Sequence, residues 1–320
     1  MNEKNNLLSK INNSYYKPEI YASLGLLILV IALSFASPYF FTARNLINVA
    51  RQVSLYAIVA SGMTFVILTG GIDLSVGSVV AITGTITAGM IKSGLPVTVS
   101  LLIGIIIGIA FGLFNGLIIA NTRIPAIIVT LATMTIARGS ALLYSNGYPI
   151  SGMPASYTNL GRGYIGPFPI PVYVMVIIFV IMYIILNKSK FGRYVYALGG
   201  NEETVRLSGI SVKKLKMKVY MLTGLMAGIS GLLLSSRLGS GQPLAGDGWE
   251  LDVIAAVVVG GTDIAGGRGT MIGTLIGAFI IGILNNGLNL LNVSPYLQLV
   301  VRGFVIIFAV FVRAGRVKKK

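Results

Sequence analysis

The sequence predicts an all-α, polytopic membrane protein of about ten transmembrane helices, one of them short or broken, with both termini in the cytoplasm. Three observations carry this reading. Of 320 residues, 55% are apolar and 11% charged, against about 25% charged in a soluble domain. A hydrocarbon layer of about 30 Å needs roughly 20 mostly apolar residues per crossing. Long apolar runs bounded by charge, Gly or Pro occupy 20–40, 46–69, 74–91, 95–120, 125–145, 171–187, 218–236, 250–262, 271–291 and 296–312. Third, the basic residues cluster where an even number of crossings puts them on one side, and cytoplasmic loops are the ones biased toward Lys and Arg.

The tail 1–19 carries Lys4, Lys10 and Lys17 and starts inside; it offers no convincing cleavage site, so the first apolar run is expected to be retained. Residues 20–315 read as a single transmembrane domain, interrupted by a cytoplasmic loop at 188–217, and 316–320 form a basic tail. That loop and its edge hold Lys188, Lys190, Arg193, Arg206, Lys213, Lys214, Lys216 and Lys218, and the C-terminus adds Arg313, Arg316, Lys318, Lys319 and Lys320. With Arg123 and Arg268, eighteen of the twenty-five basic residues fall inside. The net charge of +16 is therefore a loop bias, not a sign of nucleic acid. The eighth run is the weak one. Its clean apolar core is only Val253 to Val259, which fits a broken or partly loop-built helix, tolerated at membrane depth where protein surrounds the backbone. At a constant offset of 170, Gly112, Asn115 and Pro125 match Gly282, Asn285 and Pro295. An inverted repeat would produce this match; so would coincidence in a Gly-rich chain.

Composition removes several functions. The chain has no His and no Cys, so imidazole-based metal sites, Ser-His-Asp hydrolysis and thiol chemistry are excluded. It contains no Gly-Lys pair and hence no Walker A loop. Gly104, Gly108, Gly112 and Gly116 recur every four residues, as do Gly224 with Gly228 and Gly273 with Gly277; such faces let helices approach closely. Charged residues near apolar runs are the candidates for function: Arg51, Arg138 and Arg302 among the basic residues, and Asp73, Glu250, Asp252 and Asp263 among the acidic ones. Asp73 and Asp263 precede apolar runs, where a carboxylate caps a helix start or acts in gating. Glu250 and Asp252 open the eighth run, where capping competes with an outer-gate role. Thr130, Thr133 and Ser140 make a polar stripe suited to a polyhydroxylated solute or to bonding within the bundle.

Two loops stand out. In the cytoplasmic one, Asn201 is a good N-cap, Glu202 and Glu203 suit the positive end of a helix, and Gly209 suits its left-handed end. A helix this short needs a partner surface, either a cytoplasmic protein meeting Val205, Arg206 and Leu207 or its own membrane domain. The outer loop from Asn146 to Pro171 is rich in Gly and Pro and carries Tyr148, Tyr157, Arg162 and Tyr164, a candidate docking surface for a second protein or a set of interfacial anchors.

Three stretches then resemble one family: Gly70-Gly71-Ile72-Asp73-Leu74-Ser75-Val76-Gly77-Ser78; Gly192 to Asn201 running on to Leu207-Ser208-Gly209-Ile210; and Glu250 to Gly261 continuing to Gly266-Gly267-Arg268-Gly269. The chain resembles the permease subunits of bacterial ATP-binding-cassette sugar importers of the ribose, galactose and xylose group. The resemblance implies a homodimeric permease in the bacterial cytoplasmic membrane, translocating a monosaccharide by alternating access. It also implies a cytoplasmic ATPase subunit that holds ATP and Mg, and an extracytoplasmic sugar-binding protein that delivers substrate. No cofactor, metal or catalytic residue is implied on this chain. Gly200, Asn201, Glu202, Glu203, Val205, Arg206, Leu207 and Gly209 would form the coupling helix and its ends. Asp73, Thr130, Thr133, Arg138, Glu250, Asp252 and Asp263 stand as pathway or gate candidates, and Tyr157, Arg162 and Tyr164 as docking candidates. The rival is an ion-coupled secondary sugar carrier, which leaves the capped cytoplasmic helix without a purpose.

Overall fold

The computed structural model describes residues 17–317; most of the 1–19 tail, with Lys4 and Lys10, and the end of the basic tail at Lys318, Lys319 and Lys320 lie outside the described residues. The chain runs through α1 (Lys17–Ala36), α2 (Ala43–Leu68), α3 (Val76–Lys92), α4 (Val97–Asn121), α5 (Ala126–Ser145), β1 (Ile150–Ser151), α6 (Ala155–Arg162), β2 (Tyr164–Ile165), β3 (Phe168–Pro169) and α7 (Ile170–Lys188). It continues through α8 (Lys190–Gly200), α9 (Glu202–Leu207), α10 (Val212–Leu238), β4 (Ser240–Gly241), α11 (Trp249–Val259), α12 (Met271–Leu290) and α13 (Pro295–Val317). Each of the ten apolar runs holds one helix. By length and composition, seven helices among the described residues suffice to cross a membrane: α1, α2, α4, α5, α7, α10 and α12. Helix α3, with 17 residues, and α11, with 11, are shorter.

Local chemistry sets the helix ends. Pro96, Pro125 and Pro169 stand just before α4, α5 and α7, where a missing N–H costs no helical bond. The side chains of Thr42, Ser189, Asn201, Ser211 and Thr270 accept backbone N–H groups at the starts of α2, α8, α9, α10 and α12. Asn146 and Gly239 close α5 and α10 in the left-handed conformation.

Shifting the first half by 170 residues lays α2, α3, α4 and α5 over α10, α11, α12 and α13, and the ends of α2 and α10 then agree within one residue. The counterparts run in opposite directions. Ser230 bonds Leu55 O and Arg237 bonds Asn48, so α10 climbs as α2 descends. Helix α4 is antiparallel to α10, with Gly104 beside Leu232 and Gly116 beside Met217. Helix α12 is antiparallel to α2, with Asn286 bonded to Asn45 and Thr274 to Thr64. It follows that α4 and α12 oppose each other. The same reasoning through Asn115 and Ser75, and through Gly277 and Ala256, opposes α3 and α11. The offset seen in three residues is thus an inverted repeat, and its halves are interlocked: α10 packs chiefly on α4 and α3, while α2 packs on α12 and α11.

The glycine stripe makes the α4–α10 contact possible. A methyl added at Gly108 would lie 2.6 Å from Gly224 O, and one at Gly116 would lie 2.8 Å from Met217 Cα. Gly260 and Gly273 bring α11 and α12 together in the same way. Polar pairs then fix the register: Asn45 and Asn286 exchange amide bonds of 3.1 and 2.9 Å, and Thr64 meets Thr274 at 2.7 Å. Each such bond contributes about 0.6 kcal/mol between membrane helices.

Candidate functional site

On the face carrying the basic loop, Asn201 Oδ1 accepts the Thr204 N–H at 2.9 Å and begins α9. Gly209 ends it with φ of +78°. The helix has two faces. Val205 is buried against its own chain, and Lys216 holds Glu202 at 2.8 Å. Outward point Leu207, 77% exposed, and a Glu203–Arg206 pair at 2.6 Å. The hydrogen bond from Arg206 to Glu203 raises the guanidinium above its ordinary pKa. Val205, which the sequence offered to a cytoplasmic protein, thus faces the chain's own helices, while Arg206 and Leu207 stay outward.

The three motif stretches, far apart in sequence, meet directly behind α9. Gly199, at the end of α8, touches Leu68 O at the end of α2 and Gly267 N in the loop after α11. Gly267 N donates to Leu68 O at 2.9 Å, and Tyr196 OH donates to Gly269 O at 2.7 Å. A methyl on Gly266 would lie 2.9 Å from Gly70 N and 3.1 Å from Gly199 Cα. The junction is backbone against backbone and joins the end of α8 to the leaders of α3 and α12. A methyl on Gly200, singled out by its sequence position, would meet nothing within 4 Å, whereas one on its neighbour Gly199 would strike Leu68 O and Gly267 N. Sequence reasoning passed over Gly199, Gly266 and Gly267, although glycine pairs recurring at the ends of the three motifs were the available signal.

The repeat brings two interrupted helices together. Residues 69–75 before α3 and 242–248 before α11 are non-helical. Gly241 lies against Thr85 and Ala88, and Gly246 against Gly77 and Val80, so the second leader descends along α3. Arg138 of α5 secures it, donating to Pro243 O and Ala245 O at 2.9 Å each and facing Asp247 at 3.8 Å. This satisfies carbonyls that no helix serves. Trp249 packs against Tyr56 of α2, the ring centroids 4.2 Å apart and the planes tilted by 42°. Asp252 is 2% exposed and meets Arg302 of α13 and Asn285 of α12, both at 3.4 Å. Asn115, the repeat counterpart of Asn285, donates to Ser75 at 2.9 Å before α3.

The remaining candidates fall differently. Asp73 accepts Ser75 N and Oγ at 2.9 and 2.6 Å, serving the entry to α3. Asp263 caps no helix: it accepts Ala265 N at 3.0 Å and closes a turn, while Thr270 caps α12. Glu250 lies in the first turn of α11, one carboxylate oxygen over Gly77 and without a partner. Thr130 and Thr133 are fully buried, and Thr130 bonds Ala126 O and Ile72 O. Neither faces an open channel.

The outer loop corrects the docking expectation. Tyr157 is fully buried, because its hydroxyl reaches Ser235 and Leu232 O of α10; it fastens α6 and cannot meet a partner. Arg162 donates to Arg237 O and Leu238 O at 2.7 and 2.9 Å, serving carbonyls left over at the end of α10. Tyr164 remains exposed, with Arg51 over its ring at 4.9 Å.

Among known proteins, the family described as branched-chain amino acid transport system / permease component matches residues 45–310. The ribose import permease protein of Bacillus subtilis (strain 168) is 52% identical over 289 residues, 90% of each chain. That of Escherichia coli (strain K12) is 48% identical over 293 residues, 90% of this chain and 91% of the relative. The L-arabinose transport system permease protein of Escherichia coli (strain K12) is 39% identical over 312 residues, 96% and 95% of the two chains. No solved structure matches. The chain belongs to this transport-system permease family.

Proposed function

We propose that this chain is the permease subunit of an ATP-binding-cassette importer in a bacterial inner membrane, carrying a monosaccharide, ribose, by alternating access. A partner subunit binds ATP and Mg and hydrolyses the ATP; an extracytoplasmic binding protein delivers the sugar; two copies of the permease enclose the path. The observation that carries this reading is the α8–α9 junction, an exposed capped helix whose rear contact touches the leaders of both halves. A nucleotide-driven partner shifts the facing equilibrium only by gripping α9 differently in the two states. The names of the relatives supply the sugar.

Ten crossings with both ends cytoplasmic fit this role. The leader before α11 descends along about eight residues of α3, or ~12 Å, and α11 adds ~16 Å. Together they approach the ~30 Å of the hydrocarbon layer. An even count keeps α9 and the basic C-terminus on one side.

The test is reconstitution with the ATPase and the binding protein. Replacing Val205 with Pro removes the N–H that bonds Asn201 O and a buried side chain, and should uncouple ATP hydrolysis from uptake. Undiminished sugar accumulation by that variant would remove α9 from the mechanism.

A further inference from the structure

Many buried hydroxyls in this bundle are spent on a backbone carbonyl three or four residues earlier: Ser61, Thr64, Thr83, Thr130, Ser145 and Thr223 each bond back in this way. Among the described residues, five buried hydroxyls have no partner: those of Tyr220 and Thr262, apart from each other, and those of Ser78 and Thr85 of α3 and Thr133 of α5, all three fully buried. An unmade bond of this kind costs a few kcal/mol, so three in one place call for a reason.

They share one seam. Helices α3 and α5 pack side by side; Thr130 reaches Ile72 O below, and Ile82 packs with Ala137 and Ala141 above. That register puts Thr133 opposite the turn carrying Ser78, and Thr85, two turns further along α3, on the same side as Ser78 and Ile82. On the α5 side the seam continues in Ala137 and Ala141, small side chains packed on Ile82, with Ile86, Ile107 and Phe111 against them. At its inner end Glu250 Oε2, also buried and unpartnered, hangs over Gly77, within electrostatic reach of Arg138. The non-helical leader 242–248 lies along it, pinned by Arg138. Short, interrupted segments in corresponding places of two inverted halves are where transporters place their solute sites.

We infer that the α3–α5 seam is a closed binding station for a neutral polyhydroxylated solute, in which Ser78, Thr133 and Thr85 take sugar hydroxyls and Glu250 accepts from them when α5 moves off α3. The unpaired oxygens are the closed state of that site. This rests on the sugar-importer reading and adds to it residues of the permease itself that read the cargo.

The native absence of Cys gives a clean test. Ser78→Cys and Thr133→Cys are made singly and together and reconstituted with the ATPase and the binding protein; normal membrane content and retained binding-protein-stimulated ATP hydrolysis by each single variant establish its fold. The buried Thr133→Cys thiol should react with a small water-soluble thiol reagent about tenfold faster during turnover with ATP and ribose-loaded binding protein than at rest, the mark of a population shift. Bridging the two thiols with a short reversible cross-linker should abolish uptake, and reduction should restore it. Thr133→Val should lower ribose transport about tenfold, the worth of one lost hydrogen bond, with binding-protein-stimulated ATP hydrolysis retained. A complex that hydrolyses ATP and imports ribose while the thiol stays unreactive, or while the seam is bridged, overturns the inference and leaves the importer reading intact. Failure of wild-type uptake under ATP strikes the importer reading instead.

Discussion

Gly199→Ala tests the backbone junction behind α9 with an adjacent internal control. A methyl at Gly199 would overlap Leu68 O and Gly267 N, both main-chain atoms with little room to yield, whereas a methyl at Gly200 meets nothing within 4 Å. Both glycines lie in α8, so both substitutions gain up to about 1 kcal/mol of helix propensity. Only the first overpacks a contact, at a cost of about 1–3 kcal/mol. If the junction is differently packed in the two facing states, that penalty falls on one of them and shifts the equilibrium by roughly 5- to 150-fold. The assay is the number of ATP molecules hydrolysed per ribose imported in proteoliposomes containing the ATPase and the binding protein. Gly199→Ala should raise this ratio several-fold at normal permease content, and Gly200→Ala should leave it unchanged. Equal behaviour of the two variants would refute the claim that the drive passes through this junction.

Other perturbations follow from the same geometry. Alanine at both Glu203 and Arg206 removes only exposed groups, so the permease should insert at wild-type levels, by immunoblot, while sugar uptake falls. Asp252→Asn strips the carboxylate from the Arg302 contact; breaking such a buried pair costs about 3 kcal/mol, which should lower the melting temperature in mild detergent, and adding Arg302→Met should recover part of the loss. Gly108→Leu drives a side chain into Gly224 O and Gly228 Cα and should deplete the folded permease, whereas Gly139→Leu, facing open space, should not. Arg162→Glu should free the α6 segment from the end of α10, seen as faster proteolysis of the outer loop.

Much of this architecture is legible in the sequence because the bilayer imposes it: each of the ten apolar runs contains a helix, and Asn201 and Gly209 bound α9 where capping chemistry puts them. The inverted repeat was legible only faintly. Its halves share helix order, while few identities beyond Gly112, Asn115 and Pro125 mark the register. The segment that leads into α11 was hidden for a different reason. Residues 242–248 are neither apolar enough nor helical enough to announce themselves, and only Arg138, over a hundred positions away, makes their burial tolerable. Tyr157 misled because an aromatic in an outer loop reads as an interfacial anchor, while the Ser235 and Ser236 pair that draws α6 onto α10 lies far along the chain. The glycine junction was visible as three motifs, but adjacency among Gly70, Gly199 and Gly266 is a property of the fold alone.

The most direct test of the central claim is ribose accumulation in sealed proteoliposomes, measured with the ATPase and ribose-loaded binding protein under ATP, and again with the permease alone under an imposed ion gradient. Concentrative uptake should occur only in the first case, and it should vanish when Val205 is replaced by Pro. Uphill transport by the permease alone, driven by the gradient, would contradict the account.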